Sequence, residues 1–147
     1  MNAFTFLFLL LGLAPMAEDL SVTGTAATNT GCPILLYVSR SDCTFCRRFE
    51  KEQLGPLMRS GEYNNKLIIR ELIWDDTTPI VNFHGETTTR KALAKFYEAT
   101  LTPTLLFLDG TGEEIRPRIT GYRSNDYFGF YFEAAIIDAF TITQNRL

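Results

Sequence analysis

The sequence predicts an α/β fold: a central four-stranded mixed sheet with helices on both faces. Three observations predict it. A continuous apolar run of strand length occupies 33–39, as expected of a strand buried on both faces, and 66–73 and 103–108 read as two further strands. Segments with a helical apolar stripe follow the first two runs, which implies parallel pairing through right-handed crossovers. The third run ends in Asp109-Gly110-Thr111-Gly112, a hairpin signal that adds an antiparallel edge.

The composition fits one ordinary globular domain. The chain has 147 residues, 46% hydrophobic and 21% charged. A net charge of −3 argues against a nucleic-acid surface. Three cysteines are too few for a disulfide-stapled scaffold, and their odd number leaves one unpaired within the chain.

Residues 1–17 read as an export signal. The apolar run from Ala3 to Ala14 has signal-peptide length and falls short of the roughly 20 residues of a spanning helix. No Lys or Arg precedes it, and Pro15 stands three positions before a cut after Ala17, where a small residue is usual. The other readings are an uncleaved interfacial anchor and an ordinary buried element. Residues 18–31, rich in Ser, Thr, Ala, Gly and Asn, read as a flexible lead-in, which leaves 32–147 as the domain.

The elements follow in order. Pro33 is tolerable at the start of the first strand, where its missing donor matters least. From Cys43 the period turns helical, with Phe45, Phe49, Leu54 and Leu57 on one stripe. Gly55-Pro56 should kink this helix before it ends near Ser60-Gly61. The strand 66–73 comes next, then a polar loop over 74–85 that carries Asp75-Asp76 and Pro79. Thr87-Thr88-Thr89 can cap a helix over 90–99, with Ala92, Leu93, Phe96 and Tyr97 facing inward. The strands 103–108 and 114–120 form the hairpin. Ser124 or Asn125 could cap a last helix through Phe128, Tyr131, Phe132, Ala135, Ile136 and Phe140.

The chemistry concentrates in Asp42-Cys43-Thr44-Phe45-Cys46-Arg47-Arg48, where the first strand becomes a helix. A cysteine at a helix N-terminus meets unpaired backbone N–H groups and the positive end of the dipole. Both favour the thiolate, which is the nucleophile. Cys46, one turn on, is close enough to close a disulfide back onto Cys43. Cys43 is therefore the expected attacking residue and Cys46 the resolving one. Arg40, Arg47 and Arg48 add positive charge, and Asp42 opposes it.

Other candidates are weaker. Cys32 lies about 25 Å from Cys43 along the first strand, too far to share a metal or a disulfide. It reads as a free thiol. His84, the single histidine, sits in the polar loop as a solvated residue. Trp74 reads as a packing residue under that loop. Tyr127, Phe128, Phe130, Tyr131 and Phe132 read as core, with a partner-facing patch as the alternative. Neither a metal nor an organic cofactor is expected.

Cys43-Thr44-Phe45-Cys46 after a strand, then Thr102-Pro103, Asp109-Gly110 and Gly121, resembles the thioredoxin fold over about 33–140. Pro56 falls where thioredoxin-like proteins kink the active-site helix. The stretch from Tyr37 to Glu50, with Asp126-Tyr127-Phe128-Gly129-Phe130-Tyr131, is similar to exported bacterial thioredoxin-like proteins. Some of those accompany sulfur oxidation or cytochrome maturation. The resemblance implies a cis-proline at Pro103 facing the dithiol, with the Thr102 backbone open to an extended substrate segment. It also marks departures. Asp42 stands where thioredoxins have Trp, Thr44-Phe45 replaces Gly-Pro, and Tyr37 occupies the place of their buried carboxylate.

The expectation is therefore a cell-envelope thiol–disulfide oxidoreductase, most simply one that reduces protein disulfides. Cys43 attacks, Cys46 resolves, Thr102 and Pro103 hold the substrate backbone, and Phe45 shapes the contact. The partners are a protein substrate and a membrane or periplasmic electron donor, and the chain acts as a monomer. The alternatives are a binding or redox-sensing module that docks through its aromatic C-terminal helix, and a periplasmic disulfide oxidase or isomerase.

Overall fold

A computed structural model describes residues 14–147. Most of the expected export signal therefore lies outside the described residues. The elements are α1 (Leu20–Thr30), β1 (Ile34–Ser39), α2 (Thr44–Phe49), a π-helical turn (Glu50–Leu54), α3 (Gly55–Ser60), β2 (Ile68–Ile73), β3 (Pro79–Val81), β4 (Thr87–Thr89), α4 (Arg90–Phe96), β5 (Thr104–Leu108), β6 (Ile119–Thr120) and α5 (Phe128–Gln144).

The four-stranded sheet has the order β2-β1-β5-β6. β1 and β2 are parallel, with Ile34 opposite Ile68 and Tyr37 opposite Glu71. β5 runs antiparallel to both β1 and β6. Every residue of β1 and β5 is buried, as their unbroken apolar runs require. Leu35, Tyr37, Leu105 and Phe107 face α2, α3 and α5, where Phe49, Phe132 and Ile136 close one core. Ile34, Leu36, Val38, Leu106 and Leu108 face the other way, onto Leu20 of α1 and Leu93 of α4. The expected architecture, helices on both faces of a mixed sheet, is the one observed.

The lead-in expected over 18–31 is instead largely helical. Asp19 caps α1, its carboxylate accepting from Ser21 N at 3.0 Å and Val22 N at 3.2 Å. Gly31 ends the helix at φ 67°, in the left-handed region. Gly24 lets α1 lie directly on the 109–112 turn: a Cβ there would strike the Gly110 carbonyl oxygen. Packing, not propensity, makes this helix.

The polar loop contains a second, two-stranded sheet. β3 and β4 pair antiparallel, Pro79 opposite Thr89. The connecting turn is tied by Asn82, whose Oδ1 accepts from His84 N and Glu86 N. Thr89 also caps α4 as expected, accepting from Ala92 N at 3.1 Å. On α4 it is Leu93, Ala94 and the following Tyr97 that are buried, whereas Ala92 and Phe96 are exposed. β6 is shorter than the expected 114–120. Pro117 cannot donate, so pairing shrinks to one bridge, Leu108 to Glu114, before β6 resumes at Ile119. α5 starts behind Tyr127, which takes φ 59°, rather than behind Ser124 or Asn125.

The expected kink of the active-site helix takes the form of a π turn. Pro56 has no N–H for the Glu52 carbonyl, and the preceding turn widens so that Gly55 N donates to Glu50 O. Gly61 closes the helix at φ 69°.

Candidate functional site

The site forms where β1 gives way to α2. Cys43 is extended, at φ −143° and ψ 94°, and caps α2: its Sγ accepts from Cys46 N at 3.2 Å. Cys43 and Cys46 form a disulfide across one helical turn, with Cα atoms 5.2 Å apart. Cys43 retains 7% exposure and Cys46 none. The pair is thus asymmetric: an incoming group meets Cys43, while Cys46 lies in the core beside Tyr37 and Phe49.

The loop before Cys43 is pinned from two sides. Asp75, just past β2, accepts from Ser41 N at 3.0 Å and from Ser41 Oγ at 2.8 Å. Those bonds hold the Asp75 carboxyl below its ordinary range. Arg40 Nε donates to Asp42 O at 3.0 Å, and Arg47 Nη2 to Arg40 O at 3.4 Å. Arg47 pairs with Glu50 at 3.1 Å, and Arg48 with Glu52 at 3.7 Å, its guanidinium lying over the Tyr122 ring. Two of the three expected thiolate-side cations are thus engaged by their own helix.

The chain returns to the cysteines at Thr102-Pro103. The peptide between these two residues is cis, and Thr102 Oγ1 donates to Cys43 Sγ at 3.3 Å. Phe45, expected on the apolar stripe of the helix, is instead 49% exposed and directly precedes Cys46 in sequence. Leu101, at 68%, is also exposed next to Thr102. Cys43, Cys46 and Thr102 are therefore brought together, with Phe45 on the surface between the cysteines and Pro103 buried behind Thr102.

A polar cluster lies beneath the helix that the sequence reading did not assemble. Tyr37 is fully buried and donates from its hydroxyl to Glu50 Oε1 at 2.8 Å. Burial, then the Glu50 charge, pushes the Tyr37 phenol up. Across the sheet, Ser39 Oγ donates to Glu71 Oε1 at 2.6 Å. Burial holds the Glu71 carboxyl above its ordinary range, and the Ser39 bond opposes that shift. The signal for Glu71 was a carboxylate inside the strand expected over 66–73. For Glu50 there was none, because its reach to Tyr37 depends on the π turn.

Cys32 is unpaired and buried, its thiol donating to Asn65 O at 3.2 Å. His84 is exposed on the β3–β4 turn, and Trp74 is half-buried against the α1–α4 side of the core. Among the described residues no cluster of three His, Cys, Asp or Glu side chains could hold a metal ion.

This sheet, with a Cys-x-x-Cys at the head of a helix, defines a thioredoxin-fold protein. The chain belongs to the thioredoxin-like domain family, whose model matches residues 22–136. It is similar in fold to the DsbH oxidoreductase, at a TM-score of 0.63 and 16% identity over 90% of this chain and 88% of that one. It is also similar to oxidised mitochondrial thioredoxin 3 from Saccharomyces cerevisiae, at 0.57 and 16% over 85% and 94%. A thioredoxin-fold protein from Helicobacter pylori superposes at 0.53, with 16% identity over 85% and 99%. Identities this low speak to the fold alone. No curated protein matches the chain at a significant level.

Proposed function

We infer that the chain is a thiol–disulfide oxidoreductase of the cell envelope that reduces protein disulfides. The observation that carries this reading is the asymmetry of the pair: Cys43 reaches the surface and Cys46 is fully buried behind it. In the reduced protein the Cys43 thiolate attacks one sulfur of a substrate disulfide. A Cys43–substrate disulfide forms, and the other substrate sulfur leaves as a thiolate and takes a proton. Cys46 loses its proton and attacks Cys43 Sγ, which releases the second substrate thiol and restores the Cys43–Cys46 disulfide. Two electrons pass from the protein to the substrate, and a thiol donor of the envelope returns them. Thr102 and Pro103 hold the substrate backbone beside Cys43, and Phe45 meets its side chains.

The cell-envelope assignment rests on the apolar run from Ala3 to Ala14. The similarity of the stretch from Tyr37 to Glu50 to exported bacterial thioredoxin-like proteins, some of which accompany sulfur oxidation or cytochrome maturation, fits the same reading. Dithiothreitol-coupled reduction of insulin tests the chemistry. The wild-type protein accelerates it, Cys43→Ser does not, and Cys46→Ser accumulates a mixed disulfide on Cys43. Equal rates for wild type and Cys43→Ser would overturn the reading.

One observation favours a second reading, a partner-docking module. Tyr127, Phe130 and Tyr131 at the start of α5 are 80%, 73% and 65% exposed. That reading predicts insulin reduction no faster than with the Cys43→Ser variant.

A further inference from the structure

A cavity of about 470 Å³ opens between the β3–β4 turn, α4 and the turn at 111–113, on the face of the sheet opposite the cysteines. Its size suits a small ligand. Three aromatic side chains line it: Phe83, Phe96 and Tyr97. Phe83 lies against Gly112. A Cβ there would strike the Phe83 ring, and the φ of 87° independently calls for glycine. Tyr97 is buried and its hydroxyl donates to Gly112 O at 2.7 Å, so it offers the cavity ring carbon and no free donor. Phe96 meets Tyr97 edge to face, with centroids 5.1 Å apart, yet remains 75% exposed. Apolar surface is thus left in water at the rim of a cavity, at a position expected to face inward.

The carboxylates at this cavity fix the sign of its charge. Glu86 and Glu113 line it, the lining holds no Lys or Arg, and His84 is the one side chain there able to carry a positive charge. Among the described residues neither carboxylate has a Lys or Arg within ion-pairing distance. Glu86 accepts from the neutral Asn82 Nδ2 at 3.1 Å, whereas Glu114, beside Glu113, is paired with Arg118. Ring faces and carboxylates both attract cations and repel anions. The rest of the wall, Leu93 and Ala92 included, is apolar, so a cation must lose its water cheaply to enter. A metal ion or a primary ammonium is strongly hydrated, and no three metal-ligating side chains gather among the described residues. An alkylated ammonium suits the site, because its methyl groups bury against the rings while its charge faces the carboxylates.

We propose that this cavity binds a small organic cation of the quaternary ammonium class, with Phe83, Phe96 and Tyr97 against its methyl groups and Glu86 and Glu113 balancing its charge. The inference goes beyond the redox reading and does not depend on it. Cys43 and Cys46 belong to the core on one face of the sheet, and Leu93 and Tyr97 to the core on the other.

The test is a titration of the isotope-labelled full chain with choline, followed by nuclear magnetic resonance at constant ionic strength. Neohexyl alcohol, the same shape with carbon in place of nitrogen, is the uncharged control. The backbone amides of Phe83, Phe96 and Glu113 are expected to shift saturably with choline, and far less with the alcohol. Phe96→Ala should weaken choline binding roughly 3- to 30-fold, the range of one cation–ring contact. Glu113→Gln should weaken it as well, by a factor that shrinks as salt is raised. Both side chains are exposed, and thermal unfolding checks that each variant is folded. No saturable shift, shifts confined to other parts of the chain, or equal affinity for choline and the alcohol would overturn the inference. So would an affinity unchanged in both folded variants. Should a variant fail to fold, the comparison of choline with the alcohol on the wild type decides alone.

Discussion

Cys43 and Cys46 differ in one respect that decides their roles: the first is reachable and the second is not. Iodoacetamide should therefore modify Cys43 well before Cys46 in the reduced Cys32→Ser protein, read by peptide mass. Equal rates would remove the basis for naming an attacking residue. Beneath the pair, Tyr37→Phe deletes the bond to Glu50 and should cost about 2 kcal/mol, as a hydrogen bond to a charged group does. A urea titration measures it. Glu71 gives a pH signature. Burial raises its carboxyl in the folded state, so its stability contribution is full below the unfolded value and is lost as pH rises through the folded one. Glu71→Gln should therefore gain stability on the wild type as pH rises above the ordinary carboxylate range, until the folded carboxyl is ionised. A constant difference across that range would contradict it. The two cysteines, Thr102 and Pro103 were legible in the sequence because short motifs carry them. The Tyr37–Glu50 and Ser39–Glu71 pairs were not, because each joins residues 13 or 32 positions apart.

Among the elements, those with a strong period were read nearly in place. β1 and β5 are continuous apolar runs, and only a buried strand uses them that way. α1 was missed because Thr, Gly, Ser and Asn fill it, and such residues suggest a loop. It exists because Asp19 caps it and Gly24 seats it on Gly110. The sign of Gly24→Ala settles this. In an exposed helix the change would stabilise by up to about 1 kcal/mol; against the Gly110 carbonyl it should destabilise, and thermal unfolding reads which. β3 and β4 were missed because strands of three residues give no usable alternation, and Thr87-Thr88-Thr89 served equally well as a helix cap. Phe49 ties α2 to Tyr122 and to Phe128 and Phe132 of α5 through edge contacts. Phe49→Ala should cost about 3–5 kcal/mol in urea unfolding.

At the scale of the whole molecule, the sheet does two things. Its buried centre, β1 and β5, delivers Cys43 and Thr102 to the same end, since β1 ends just before Cys43 and the antiparallel β5 begins just after Pro103. Its β2 edge takes up residues 15–17, with Met16 in parallel register with Glu71. The mixed topology was legible because it follows from the order of apolar runs. The extra edge strand was not, since its residues read as the end of a leader.

The central claim is that Cys43 and Cys46 form a reversible redox pair. Equilibration of the Cys32→Ser protein in glutathione or dithiothreitol buffers, with the disulfide counted by mass, tests it most directly. The expected result is one intramolecular disulfide that titrates as a two-electron couple near the thioredoxin value of roughly −270 mV, as suits a reductant of protein disulfides. A couple near about −120 to −180 mV would reverse the direction of electron flow. A pair that forms no intramolecular disulfide at any poise would contradict the claim itself.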